Sequence, residues 1–264
     1  MRRRGIGGTL IIALAFVAFA LVKRCNSRTI NPVTGTVEYV SMTPEQEVQM
    51  GLASRGQLAQ QFGGLYPDEQ TQNLINQIGN DIVSNSDAAR SPYTFEFHVL
   101  NDPQTVNAFA LPGGQVFITT ALLNQLKSQD QIAGVLGHEI GHVIERHSAE
   151  RIADSEFFGM LGNAAVIATG DASTQQVASA VINSSLMANG RKDELESDEL
   201  GVKYMIQSGY EPTEMIAVMD VLKKASGGSS RPEFMSTHPD PENRKGHIMD
   251  AIEKYRGLGS SNSY

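Results

Sequence analysis

The stretch Gly137-His138-Glu139-Ile140-Gly141-His142 decides how the rest of the chain is read. His138 and His142 are four residues apart. On an α-helix that is about 40° of rotation and one turn of rise, so both imidazoles leave one face. Two imidazoles at that spacing can share one metal ion. Glu139 stands about 60° from His142, where its carboxylate can reach a water held by the metal, as a metal-assisted hydrolase requires. The flanks predict a helix: Asp130 is the expected N-cap, and Ile132, Val135, Leu136, Val143 and Ile144 recur at helical spacing. The bland alternative, two histidines on a solvated face, sits poorly with the motif's apolar, glycine-flanked interior.

A zinc hydrolase needs a third protein ligand and an open fourth position. His147 lies nine residues past His138, about 180° round a continuous helix, and is expected instead to sit at the helix C-terminus against the dipole. The better candidates are Glu194 and Asp198 in Arg191-Lys192-Asp193-Glu194-Leu195-Glu196-Ser197-Asp198. Four residues apart, they share a helix face. One carboxylate can bind the metal while the other accepts the N–H of a ligating histidine. Alone, this stretch reads as an acidic helix start; beside the first motif it reads as part of a metal site.

Four ordered blocks now resemble peptidase family M48, the zinc metalloproteases that include HtpX-like, Oma-like and CaaX prenyl proteases. They are the run from Asn107 to Thr119, His138-Glu139-Ile140-Gly141-His142, Arg191 with Glu194 and Asp198, and Ser236-Thr237-His238-Pro239 with Arg244. The small periplasmic BepA-like and LoiP-like members are most similar. The resemblance covers roughly residues 40–255 and departs at Ser197, where the family usually has Ala. It implies an α+β, mostly α-helical, zincin-type domain with a small β-sheet. It implies one Zn2+ per chain on His138, His142 and Glu194, with Glu139 as general base and Asp198 orienting a ligating histidine. It also implies that the strand Gln115-Val116-Phe117-Ile118 turns an edge to the cleft, where an extended peptide can pair. The plain alternative for that strand is an ordinary hairpin. His238 and Arg244 are candidate oxyanion donors. His238, on a proline-stiffened segment after a Ser/Gly-rich loop at 225–231, is equally a candidate plug for the fourth zinc position, as in some periplasmic relatives.

Composition bounds the remainder. The chain has 264 residues and a net charge of −8, which gives a nucleic-acid partner no electrostatic support. Its single cysteine, Cys25, excludes an intrachain disulfide and a cysteine-based zinc site. After Met1-Arg2-Arg3-Arg4 comes an apolar run from Ile6 to Val22, then Lys23-Arg24. The run is close to the minimum for a bilayer span, about 17 residues, and its basic start favours an inside N-terminus. Residues 1–25 are therefore expected to anchor the chain in the inner membrane with the catalytic domain in the periplasm. A signal peptide, with a secreted or periplasmic product after cleavage, is the rival reading.

The chain order expected is a linker over 26–42 with a turn at Asn31-Pro32-Val33-Thr34, a metallopeptidase domain over 43–257, and a frayed tail over 258–264. Thr43 and Pro44 start a helix that ends before Gly63-Gly64, and a second runs from about Asp68 to Ser84. Tyr93–Leu100 alternates as a strand, with His98 a structural histidine. Residues 155–190 read as a helical pair near the cleft, as core in preference to a hydrophobic wall for peptides. The function expected is a zinc metalloendopeptidase acting on misfolded or envelope polypeptides in protein quality control. The alternative is a zinc-binding, chaperone-like holdase with little turnover.

Overall fold

The computed structural model of the chain describes residues 6–171, 173–225, 238, 241 and 243–261. Helix α1 (Ile6–Asn26) leads into a hairpin of β1 (Arg28–Ile30) and β2 (Val37–Tyr39). Helices α2 (Pro44–Gln61) and α3 (Glu69–Ser84) follow, then strands β3 (Glu96–Leu100), β4 (Ala108–Leu111) and β5 (Gln115–Thr119). After the short α4 (Thr120–Leu123) come α5 (Gln129–Ile144), α6 (His147–Thr169), α7 (Ser173–Gln207), α8 (Glu214–Ala225) and α9 (Arg244–Ser261). The mostly helical α+β architecture with a small sheet is the one expected from the sequence.

The core is built on α5, buried continuously from Gln131 to Ile144. Leu136 and Ile140 pack with Leu200, Tyr204 and Met205 of α7 and with Ile75 and Ile78 of α3. Each large aliphatic side chain so buried contributes about 1.5–3 kcal/mol. Helices α5 and α7 approach closely because glycines face each other's backbones. A Cβ on Gly141 would stand 3.0 Å from the Cα and carbonyl oxygen of Ser197, and one on Gly201 would stand 3.1 Å from the amide nitrogen of His138. That approach sets residues 138–142 opposite residues 194–198.

Local chemistry fixes the helix starts. Thr43 forms a reciprocal capping box with Gln46, and Asp68 caps α3 through the amide of Thr71. The cap of α5 is Ser128, not Asp130: the Ser128 hydroxyl accepts from the Gln131 amide, while the Gln131 side chain accepts from the Lys127 amide. Asp130 lies inside the first turn and accepts from the Glu211 amide. Residues 28–39, expected to be a linker, form the β1–β2 hairpin around the anticipated turn. Asn31 ties that turn to the last turn of α5 through the Ile144 carbonyl at 2.7 Å.

The sheet corrects a second expectation. Its order is β3-β5-β4, with β5 parallel to β3 and antiparallel to β4. Strand β5, carrying Gln115, Val116, Phe117 and Ile118, is therefore central and wholly buried. Both its ladders are occupied, so it offers no edge to a peptide. The strand flanking β5 on the other side is β4, whose outer edge is unpaired among the described residues.

Residues 155–190 do form a helical pair, but not core. From Phe157 to Asn189 only Ala164 is buried among the described residues, and Val177, Val181 and Met187 are 58–66% exposed. This part of α6 packs instead along α1, held at the base by ion pairs of Lys23 with Glu156 and Arg24 with Asp154. Helix α9 runs to Ser261, past the expected start of the tail. The loop at 226–231 and Ser236, Thr237 and Pro239 lie outside the described residues, as do residues 1–5 and 262–264.

Candidate metal centre

The α5–α7 crossing brings His138, His142 and Glu194 together, and His238, which precedes α9, joins them as a fourth buried side chain. His138 Nε2 and His142 Nε2 are 3.1 Å apart. Glu194 Oε2 is 3.3 Å from His138 Nε2, and Glu194 Oε1 is 3.4 Å from His142 Nε2. His238 Nδ1 stands 3.1 Å from Glu194 Oε1 and 3.4 Å from His138 Nε2. Ligands held about 2.0–2.1 Å from a zinc-sized cation at tetrahedral angles stand about 3.3–3.5 Å from one another, and the spacings of 3.1–3.4 Å among these side chains lie close to that range. The donor set of this cage is two to three imidazole nitrogens and a carboxylate. Glu194 Oε2 is buried without a hydrogen-bond donor. The residues present fit a metal ion.

Glu139 lies beside the cage, fully buried, and neither carboxylate oxygen has a hydrogen-bond donor. His238 Nε2 stands 3.5 Å from its Oε1. Burial raises the Glu139 pKa, and the negative charge of Glu194 adds to this against the pull of His238 and His138.

Behind the cage, Asp198 Oδ1 faces His138 Nδ1 at 2.9 Å. Arg244 clamps Asp198 with two donors, Nε to Oδ2 at 2.6 Å and Nη2 to Oδ1 at 2.9 Å, the fork geometry that makes such pairs strong. Its Nη2 also lies 3.3 Å from Glu194 Oε2. Arg244 thus faces the Asp198 and Glu194 carboxylates, and His238 faces Glu139. Burial acts to raise the Asp198 and Glu194 carboxyls. Arg244 and His138 together outweigh it for Asp198, and His238, His138 and His142 outweigh it for Glu194, so both are lowered, Glu194 far. Burial disfavours a charged His138, but Asp198 and Glu194 overcome it and carry the imidazole to about 9.

His147 is not where a continuous helix would put it. Arg146 adopts a left-handed conformation, φ 55°, and ends the helical path after α5. Its guanidinium is buried against Glu38 and Glu47 and the Met42 carbonyl, which offsets the strain of a non-glycine residue there. The turn makes His147 the first residue of α6 and folds it back onto His142, with the two Nδ1 atoms 2.8 Å apart.

Ala108 lies in the Asn107–Thr119 run but had no expected role at the site. Its carbonyl, on β4, lies 3.3 Å from His238 Nε2. A usable signal was present: Val116-Phe117-Ile118 is an unbroken apolar run, as a strand buried between neighbours tends to show, which leaves the preceding strand as the candidate edge.

The profile of peptidase family M48 matches residues 69–252. Among curated proteins, the beta-barrel assembly-enhancing protease of Yersinia pestis is 30% identical over 223 residues, covering 81% of this chain and 45% of that protein. Its Escherichia coli (strain K12) namesake is 29% identical over 272 residues, covering 97% of this chain and 54% of that protein. The mitochondrial metalloendopeptidase OMA1 of Arabidopsis thaliana is 35% identical over 163 residues, 60% of this chain and 32% of that protein. The chain therefore spans about half the length of the beta-barrel assembly-enhancing proteases it matches. The matched span takes in the motif helix, the Glu194–Asp198 segment and Arg244: the chain belongs to peptidase family M48.

Proposed function

We propose that the chain is a zinc metalloendopeptidase that cleaves unfolded polypeptides of the cell envelope. One observation carries the reading: a buried cluster of three imidazoles and a carboxylate within reach of one metal ion, with Glu139 beside it, desolvated and without a hydrogen-bond donor. His138, His142 and Glu194 would hold the zinc. Bound zinc supplies Lewis-acid polarisation of the scissile carbonyl and a water of lowered pKa. Glu139 would act as the general base, accepting a proton from the attacking water and passing it to the leaving amine; burial raises its pKa, which favours a carboxyl that can hold that proton. Strand β4 can align an extended substrate by main-chain pairing, with the Ala108 carbonyl nearest the cage. A holdase that keeps metal without turnover gives Glu139 no task. The test is digestion of a denatured protein by the full chain: cleavage that a chelator abolishes and Zn2+ restores supports the reading, and cleavage indifferent to chelator ends it.

The Gly8–Asn26 part of α1 has the length and hydropathy of a bilayer span, 19 residues at mean hydropathy 1.9. We place it in the inner membrane as an anchor, with the catalytic body on the periplasmic side. Protease protection in membrane vesicles tests the orientation.

Asp198 is proposed to orient His138. Asp198→Asn is expected to weaken zinc binding or turnover by about 10–100-fold, typical of a lost partner behind a metal ligand. Chelator competition reads the affinity, and an unchanged value returns Asp198 to a purely structural role.

His238 is proposed as a plug. Its Nδ1 completes the cage while Nε2 reaches the Ala108 carbonyl, so one side chain covers both the fourth metal position and a substrate-pairing group. His238→Ala is then expected to raise cleavage of a short peptide by fully zinc-loaded protein. A fall of about 10²-fold in kcat, as for other lost oxyanion donors, would make His238 an oxyanion donor instead.

A further inference from the structure

The two histidines of the motif have unlike backing. His138 has a carboxylate behind Nδ1. Behind His142 stands another imidazole, that of His147, buried, with Nδ1 2.8 Å from His142 Nδ1. We propose that His147 is the positioning residue for His142, and that it passes the contact on to Asp193 and Glu196.

The inference rests on the proposed zinc site, and from there proton bookkeeping forces it. His142 turns Nε2 into the cage. A neutral imidazole that gives its Nε2 lone pair to a metal carries its hydrogen on Nδ1. That hydrogen needs an acceptor, since a buried donor left unpaired is costly. At 2.8 Å, His147 Nδ1 can accept only if it bears no hydrogen. The Ser197 hydroxyl, 3.3 Å from the same nitrogen, is a weaker second donor to it. The His147 hydrogen is thereby fixed on Nε2.

That Nε2 is buried and has no hydrogen-bond partner. It points at two carboxylates, Glu196 Oε2 at 3.6 Å and Asp193 Oδ1 at 4.0 Å, beyond hydrogen-bond length, so its N–H dipole faces both acids. The second oxygen of each acid is held by a cation: Asp193 Oδ2 by Arg151 Nε at 3.1 Å, and Glu196 Oε1 by Lys192 Nζ at 3.0 Å. The pattern repeats that behind His138, where Asp198 is clamped by Arg244. His147, Asp193 and Glu196 also resemble a metal site in composition. With Arg151 and Lys192 already neutralising the acids, the geometry instead suits a relay that fixes one tautomer of His147 and, through it, the ring of His142.

The experiment uses the full chain in detergent and reads the zinc dissociation constant by competition with a chelator. His147→Leu removes the acceptor and is expected to raise that constant about 10–100-fold. His147→Asn places an amide oxygen close to where Nδ1 lies and is expected to recover most of the loss. Equal constants for wild type and His147→Leu overturn the proposal. So do equally weak Leu and Asn variants, which would show a packing effect. If His147→Leu does not fold, imidazole 15N shifts of the zinc-loaded wild type decide: hydrogen on His147 Nε2 upholds the proposal and hydrogen on Nδ1 overturns it. Wild-type protein that binds no zinc would fail the metal reading itself, an outcome distinct from any of these.

Discussion

Glu139→Gln is expected to leave zinc binding intact and to lower peptide hydrolysis by about 10²–10⁴-fold, the range for loss of a positioned acid–base group. The substitution is nearly isosteric, and Glu139 is not a member of the four-donor cage. It removes a base whose pKa burial already holds up, and the amide cannot take a proton from water. Because both oxygens of Glu139 lack hydrogen-bond donors, no structural contact is lost with the charge, and the melting temperature should hold or rise slightly. Zinc content near one per chain with turnover at background is the result expected. A variant that keeps more than a tenth of wild-type activity would assign the base elsewhere.

Glu194→Ala carries the larger effect on the metal. Glu194 alone supplies oxygen to the cage and is fully buried at its centre. Its removal leaves three imidazoles and no anion in the cage to balance a cation, while Arg244 keeps its hold on Asp198. Zinc per chain is expected to fall from about one toward zero, with activity lost alongside. A ligand present at about a thousand times its dissociation constant stabilises by about 4 kcal/mol. The wild-type melting temperature should therefore drop on chelation, and that of Glu194→Ala should not respond. Full zinc occupancy in the variant would remove Glu194 from the ligand set.

Much of this centre is legible in spacing alone. His138 with His142 and Glu194 with Asp198 are i, i+4 pairs on two helices, and Gly141 and Gly201 mark where those helices touch. The caps at Thr43 and Asp68 follow from side-chain chemistry next to an apolar period. What spacing does not carry is any event that depends on a distant partner. The turn at Arg146 has no glycine to announce it; it is held by Glu38 and Glu47, about a hundred residues earlier in the chain. His147 therefore looks opposite His138 on paper and stands behind His142 in space. The central place of β5 follows from its parallel pairing with β3, a long-range choice that a local hairpin pattern conceals. The exposure of residues 157–189 likewise depends on α1 covering one side of α6, which no periodicity within 157–189 encodes.

The buried contacts of Arg146 also set an order in time. Asn31, Glu38 and Glu47 are made first and meet Ile144 and Arg146 only after separations of 113, 108 and 99 residues. At a synthesis rate of about 5–20 residues per second, that is a wait of roughly 5–20 s. Throughout it the two glutamates remain solvated, and the hairpin has nothing to dock on. Loops that long close late, after local helices have formed. The N-terminal hairpin is thus the first of these parts to be synthesised and among the last to be seated, and its seating waits on the turn that brings His147 behind His142.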